Sequence, residues 1–260
     1  MKLLENIKNN NFLYNNSIIS WPVGVNYTGQ GRVLSFTTGD TQEAFEKQLK
    51  IQPKNWYYRD NPVMYTLNSY GYRAPEFKDV NWSDSVVVFG CSNTFGTGLD
   101  DSDTVTSQLE QIIKSPVINM GCPGSSIDYS LYNSIILKNI CPKPKAVVHL
   151  WTSIDRTTYF LPERHRSYGG WSSQKDNLYF NEWAKETSNP ATLAVFASMT
   201  TKHLWSNTKL FEATIFQRTH EILNCKHLPP IFRYEKARDL SHRGRENTQI
   251  AAKIIAENIC

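Results

Sequence analysis

The sequence lacks the long apolar segments of membrane and secreted proteins. None of its runs approaches the roughly 20 apolar residues that a membrane helix requires. The first residues, MKLLENIKNNNFLYNN, contain only two adjacent leucines before charged and polar residues intervene, which is too few for a signal peptide. We therefore expect a cytoplasmic protein without membrane contact.

An excess of one charge sign is also missing. Lysine and arginine total 28 against 24 aspartates and glutamates, a formal net charge of +4. Nucleic-acid-binding proteins typically carry a basic block with interleaved aromatic residues, and this chain has none. We expect no nucleic-acid partner.

The chain has few cysteines, and their spacing indicates no disulfide or metal-binding pairs. The five cysteines are widely spaced, without a CxxC pair, so the sequence indicates neither a disulfide framework nor a zinc ribbon. His220, Cys225 and His227 lie near one another, but their spacing matches no common zinc site. We expect reduced thiols and no metal.

What the chain does have is enough apolar sequence for a large core, 40% of 260 residues. Three short apolar runs, VVVFG (86–90), PVINMG (116–121) and AVVHLW (146–151), are typical of parallel strands covered on both faces. Between them, apolar residues recur at helical spacing. These residues are Val105, Leu109, Ile112 and Ile113 in the first segment and Ile127, Leu131 and Ile135 in the second. This alternation predicts a right-handed parallel α/β sheet.

The flanking regions have a different texture. Residues 1–80 are rich in Asn, Tyr and Trp without a sustained helical period, which predicts an irregular N-terminal extension with short strands packing on a main domain, 81–260. An aromatic-rich, lid-like insertion is predicted at about 160–235, containing a helix in ATLAVFASMTTKHLW and a strand in KLFEATIF. A last helix in NTQIAAKIIAENI should bury Ile250, Ile254 and Ile255.

Ser92 follows the first predicted strand in a glycine-rich turn. Ligands of open parallel sheets bind beyond the carboxyl ends of the strands, so the loops 90–98, 121–126 and 151–156 should lie side by side there. A nucleophilic serine needs a base oriented by an acid. Asp239 and His242 precede the last helix, and their three-residue separation allows one turn to pair carboxylate with imidazole while the other ring nitrogen faces Ser92.

Three motifs resemble those of the SGNH/GDSL hydrolases. GCSNTFG is similar to the Gly-Asp-Ser-x-Thr/Ser-x-Gly block, NMGCPGSS to the Asn-x-Gly-x-x-Gly block, and DLSH before a helix to the final Asp-x-x-His block. The upstream segment NSYGYRAPEF is similar to one that often precedes this domain. The resemblance implies a three-layer α/β/α sandwich with a flavodoxin-like parallel sheet.

The resemblance also implies roles for individual residues. Ser92 would be the nucleophile, His242 the general base and then acid, and Asp239 its orienting partner, with no metal or cofactor. The backbone N–H groups of Ser92 and Gly124 would line the oxyanion hole. Each residue also has a structural alternative: a turn serine, helix caps before the last helix, or a packing glycine.

Two positions depart from the family pattern. Cys91 stands where the family usually has the Asp that supports the nucleophile loop. The third block, normally Gly-x-Asn-Asp, reads WTSID, so Ser153 falls where the oxyanion-binding Asn should be, with Thr152 as the neighbouring possibility.

Substrate contacts are predicted at Thr152, Asp155 and Arg156, in and after the third block, and at Trp171 in the insertion. Asp155 and Arg156 lie at a strand's carboxyl end, although they are alternatively a surface pair. Trp171 offers a face for a sugar, although the insertion's aromatics are alternatively the lid's own core.

The sequence therefore predicts a serine esterase acting on a carboxylic ester, with a lean towards carbohydrate acetyl esters. Two alternatives stay open: an O-acyltransferase that uses the same triad, and a non-catalytic binding or virion-associated protein on the same fold.

Overall fold

The computed structural model describes residues 33–161, 164–170, 188–230 and 234–260, which include nine strands. In chain order they are β1 (Val33–Leu34), β2 (Tyr65–Thr66), β3 (Val86–Gly90), β4 (Val117–Gly121), β5 (Ala146–Trp151), β6 (Thr157–Leu161), β7 (Arg164–Tyr168), β8 (Lys209–Thr214) and β9 (Lys226–His227). The central sheet has the order β4-β3-β5-β8-β9, and all its neighbouring strands are parallel.

Seven α-helices accompany these strands in the described ranges. They are α1 (Gln42–Ile51), α2 (Ser92–Phe95), α3 (Val105–Ile113), α4 (Ile127–Ile140), α5 (Ser188–Leu204), α6 (Gln217–Leu223) and α7 (Arg245–Ile259). Short 3₁₀ turns lie at Tyr57–Arg59, Phe77–Asp79, Trp82–Asp84 and Asp101–Asp103.

The strand order is that of a flavodoxin-like sheet, in which the first strand lies between the second and the third. Every residue of β3 is buried, as its continuous apolar run predicts for a central strand covered on both faces. The predicted α/β class is confirmed, as are the strands in the three apolar runs and in KLFEATIF. The direction of the strand order reverses at β3, which is where such sheets form a ligand crevice.

Alternate residues of β3 serve two separate cores, as the period of a strand requires. Val86 and Val88 pack towards α3 and α7, together with Leu109. Val87 and Phe89 pack on the other face, towards α4 and Trp205. Helices therefore cover both faces of the sheet, giving three layers.

The last helix buries a different face from the one predicted. Ile255 is buried, but Ile250 and Ile254 are only partly so. The buried face is formed by Asn247, Thr248, Ala251, Ala252, Ile255, Ala256 and Ile259. Small alanines allow a close approach between α7 and the sheet and α3, so the helix is oriented by side-chain size as well as by hydrophobicity.

The N-terminal segment contains a helix that the sequence analysis missed. Helix α1 buries none of its residues completely, and its Phe45 packs against the core only partly buried. Its start is fixed by Thr41, whose side chain accepts a hydrogen bond from Ala44 N (3.2 Å). The segment after α1 is far more buried: Tyr65 and Tyr72 belong to the same core cluster as Val87.

The predicted insertion contains described and undescribed parts. Strands β6 and β7 pair with each other in antiparallel orientation, and α5 confirms the helix predicted in ATLAVFASMTTKHLW. The aromatic residues Trp171, Tyr179, Phe180 and Trp183 lie outside the described residues. Within the described ranges, each helix is too short or too polar to cross a bilayer.

Helix α3 generates a stability prediction because two members of its apolar stripe differ in burial. Leu109 is fully buried, whereas Ile112 is 43% exposed. Leu109→Ala should lower the free energy of unfolding by about 2–5 kcal/mol, and Ile112→Ala by less than about 1 kcal/mol. Urea unfolding of the two variants measures the difference, and equal losses would contradict the packing of α3.

Candidate active site

Ser92 begins a short helix two residues after the end of β3, and this tight turn depends on Gly90. A Cβ at Gly90 would lie 2.1 Å from Thr94 Oγ1 and 3.0 Å from the Leu150 carbonyl oxygen. Only glycine therefore allows α2 to fold back so closely on the strand. Gly96, at φ +83°, ends the helix in a left-handed conformation.

Three side chains form a hydrogen-bonded series at this turn. Ser92 Oγ lies 2.8 Å from His242 Nε2, and His242 Nδ1 lies 2.5 Å from Asp239 Oδ2. The Asp239 side chain is 4% exposed and the imidazole 20%. The structure thus brings together the three residues that the sequence analysis selected, in the order serine, imidazole, carboxylate.

The loop before α7 orients Asp239 by its own backbone. Asp239 Oδ1 accepts hydrogen bonds from the backbone N–H groups of Ser241 and His242, both at 3.2 Å. Leu240 adopts a left-handed φ of 58°, uncommon for a residue with a side chain. This turn leaves Oδ2 for the imidazole. With Nδ1–H donating to the carboxylate, the lone pair of Nε2 can accept the Ser92 proton.

The second loop packs directly against the helix that begins with Ser92. A Cβ at Gly121 would lie 2.3 Å from Phe95 N, so this position too requires glycine. Asn119 joins the two loops: its Nδ2 donates to Thr94 O (2.9 Å), and its Oδ1 accepts from Gly121 N (2.9 Å). The sequence signal for this supporting role is a polar residue, Asn119, within an otherwise apolar strand. The sequence analysis included Asn119 only as part of the motif NMGCPGSS.

The predicted backbone donors lie on these two loops. Ser92 is the first residue of α2, a position whose N–H has no partner within the helix. Gly124 has φ +74°, and its loop is held beside β3 by the hydrogen bond from Cys122 N to Gly90 O (2.9 Å). Their role as an oxyanion hole stays a prediction.

The third loop has a hydrogen-bond pattern of its own. Ser153 Oγ donates to Asp155 Oδ2 (3.0 Å), and Asp155 Oδ1 pairs with Arg218 (3.1 Å). Asp155 therefore has an ion-pair partner other than its neighbour Arg156, whose guanidinium lies 5.7 Å from the centre of the Phe216 ring. Thr152 is 2% exposed.

Cys91, beside the nucleophile, is a buried thiol in a cationic environment. Burial alone would raise its pKa, but Arg156, the Thr152 hydroxyl, the Asn93 N–H and His242 together lower the pKa to about 7. Cys91 in turn favours the charged form of buried Arg243, whose pKa burial lowers to about 10. In its ionised form the thiol would bring a negative charge to the position where the family usually has a carboxylate.

The histidine and cysteine group at 220–227 has backbone partners. His220 Nδ1 lies 2.6 Å from Cys225 O, and His227 Nε2 lies 3.4 Å from Ile215 O. Within the described part of the chain, no three His, Cys, Asp or Glu side chains are grouped so as to hold a metal ion.

No protein-family model and no curated protein matches the sequence. Solved structures do match. An acetyl xylan esterase, Est2A, from the rumen bacterium Butyrivibrio proteoclasticus is 10% identical, with a TM-score of 0.45, over 76% of this chain and 66% of that one. AlinE4, an SGNH-hydrolase family esterase, is 15% identical, with a TM-score of 0.36, over 58% of this chain and 78% of that one.

A third match is a carbohydrate esterase family 2 enzyme with a carbohydrate-binding domain from Corynascus thermopiles (Myceliophthora fergusii). It is 11% identical, with a TM-score of 0.44, over 67% of this chain and 65% of that one. The chain thus spans just under two thirds of Est2A and of this enzyme. At these identities and TM-scores, nothing about activity transfers from the matched proteins to this chain.

The lowered pKa of Cys91 predicts a pH-dependent stability. The folded-state pKa of about 7 lies below the ordinary value of 9.0, so the unfolded chain binds more protons between these values and stability should rise with pH there. Cys91→Ala should remove this gain, which is on the order of 1–3 kcal/mol. Urea unfolding at pH 7 and pH 9 measures it.

Cys141→Ala is the matched control because burial raises the pKa of Cys141 to about 11. A raised folded-state pKa makes stability fall slightly as the pH approaches 9, so the stability difference of Cys141→Ala from the wild type should change by less than about 0.5 kcal/mol, and in the opposite direction. A constant difference for Cys91→Ala would show that Cys91 remains a neutral thiol.

Proposed function

We propose that this chain is a serine esterase of the SGNH/GDSL type that hydrolyses a carboxylic ester through an acyl-enzyme. The observation that carries the proposal is the Ser92–His242–Asp239 series, with contacts of 2.8 and 2.5 Å at the carboxyl end of the central strand. A serine that only forms a turn, or a histidine that only caps a helix, would not require the two contacts from serine to imidazole and from imidazole to carboxylate.

The proposed reaction has two stages. Ser92 Oγ attacks the ester carbonyl while His242 Nε2 takes the hydroxyl proton. The tetrahedral intermediate collapses, the bond to the alcohol breaks, and His242 returns the proton to the leaving alcohol. Water, deprotonated by His242, then attacks the acyl-enzyme. The bond from the acyl carbon to Ser92 Oγ breaks, the acid is released, and His242 returns the proton to Ser92 Oγ. Asp239 stabilises the imidazolium formed in each stage.

The negative charge on the carbonyl oxygen requires donors that are already in place. We assign this role to the N–H groups of Ser92 and Gly124, with Ser153 Oγ as the third donor. Ser153 now donates to Asp155 Oδ2 (3.0 Å), so its hydroxyl must turn from that carboxylate to serve an oxyanion. This cost predicts slow turnover of esters with poor leaving groups.

The substrate contacts and the acceptor remain part of the proposal. Arg156 and Asp155, in the third loop, are candidate contacts for the alcohol portion, for which we favour a carbohydrate. Trp171, which lies outside the described residues, stays a candidate from the sequence alone. An acyltransferase would pass the same acyl group to a sugar hydroxyl. Product analysis with and without a sugar acceptor separates the two activities.

The first test removes the nucleophile. Ser92→Ala should be folded and should lose turnover of p-nitrophenyl acetate, because the substitution removes the hydroxyl that forms the acyl-enzyme. Ser198→Ala, at a buried serine on α5, is the matched control and should retain wild-type turnover. Turnover by Ser92→Ala equal to that of the control would overturn the proposal.

A second test addresses the third donor. Ser153→Ala should lower kcat at least about tenfold, equivalent to about 1.4 kcal/mol in the barrier. Thr152→Val removes the neighbouring hydroxyl at similar volume and should have little effect. The reverse result would assign the donor to Thr152, and two silent variants would leave only the backbone donors.

A further inference from the structure

A buried carboxylate links the N-terminal segment to the loop that carries Asp239. The Asp40 side chain is 2% exposed, and its Oδ2 lies 2.6 Å from Arg238 Nη2, whose side chain is 3% exposed. Arg238 Nε also donates to Asp40 Oδ1 at 3.2 Å. Asp40 and Arg238 are 198 positions apart, so this pair joins distant parts of the chain directly before the triad carboxylate.

The segment surrounds Arg238 with further contacts. Its guanidinium lies 4.4 Å from the centre of the Phe36 ring and 5.2 Å from that of Phe45, and it also donates to the carbonyl of Ser35. Contacts on several sides of the guanidinium also restrain the backbone of Arg238. They therefore restrain the position of the next residue, Asp239.

The same carboxylate also reaches the loop that follows Ser92. Tyr65 OH donates to Asp40 Oδ2 (2.5 Å) and accepts a hydrogen bond from Gly98 N (2.8 Å). Gly98 O in turn accepts from Arg238 N (2.9 Å). A Cβ at Gly98 would lie 3.0 Å from Asp239 Oδ1, so the two loops touch here. Asp40 is therefore linked by hydrogen bonds to the loop that follows Ser92 and to the loop that precedes His242.

We propose that Asp40, Tyr65 and Arg238 form a clasp that sets the distance between the Ser92 turn and the Asp239–His242 loop. They are positioning residues, because the contacts above are made to the loops that carry Ser92 and Asp239. The inference rests on the proposed function and adds to it a role for the N-terminal segment. Misplacing reacting groups by about 1 Å can cost on the order of 100-fold in rate, so a loosened clasp should lower kcat.

A single substitution in the clasp would change both the placement of the triad and the free energy of unfolding, so a loss of kcat could not be assigned to either. Removing one partner of a buried ion pair leaves an unpaired charge and is strongly destabilising, whereas replacing both partners with groups of similar volume is often neutral. The double variant Asp40→Asn/Arg238→Met therefore separates the two effects.

We expect each single variant to lose both stability and kcat. The double variant should recover most of the free energy of unfolding while its kcat remains about 10–100-fold below wild type, with KM within about twofold. A kcat that returns together with stability would overturn the clasp and leave a purely structural ion pair.

Amide hydrogen exchange tests the clasp without any substrate. In the double variant the N–H groups of Gly98 and of the residue at position 238 should exchange at least about tenfold faster, while that of Val88 in β3 is unchanged. Unchanged exchange at positions 98 and 238 would overturn the inference. If the wild type proves to have no esterase activity, the proposed function fails and this measurement alone decides the clasp.

Arg59→Met is the matched control. Arg59 also belongs to the N-terminal segment, where it donates to Pro53 O (2.8 Å) and Leu49 O (2.5 Å) at the end of α1. It should retain wild-type kcat and wild-type exchange at Gly98. A loss of kcat equal to that of the clasp variants would show that any weakening of the segment has this effect, and would contradict a specific role for Asp40 and Arg238.

Discussion

The hydrogen bond between His242 Nε2 and Ser92 Oγ is the contact on which the proposed chemistry depends, and it joins residues 150 positions apart. Neither partner can reach the other by local geometry. The parallel sheet brings the Ser92 turn to the edge where β3, β4 and β5 end, and α7 returns the preceding loop to the same edge. The close approach at Gly90 and Gly121 then decides how precisely the serine is placed.

The electrostatics of this edge differ from those implied by the family resemblance. A thiol, Cys91, stands where the family usually places a carboxylate beside the nucleophile. Burial opposes its ionisation, but Arg156 and the other groups around it lower the pKa to about 7. Because His242 is one of these groups, the protonation of Cys91 is coupled to the charge of the triad imidazole, and it also changes the charge that faces buried Arg243.

The sequence was informative where the pattern is local. Continuous apolar runs indicated the central strands because a strand covered on both faces has no polar side, and Asp239 and His242 were recognisable because one turn contains both. Helix α1 was missed because it buries no complete apolar stripe. The pairing of Asp40 with Arg238 left no sequence signal, since each is an ordinary charged residue until the fold removes both from water. The orientation of α7 depended on alanines, whose size matters only against a neighbouring helix.

Activation of Ser92 by His242 can be measured by mass spectrometry after exposure to a fluorophosphonate, with the wild type compared with His242→Ala. We expect a single adduct on Ser92 in the wild type and a greatly slowed reaction in the variant. An adduct on another residue, or equal labelling rates in the two proteins, would contradict this expectation.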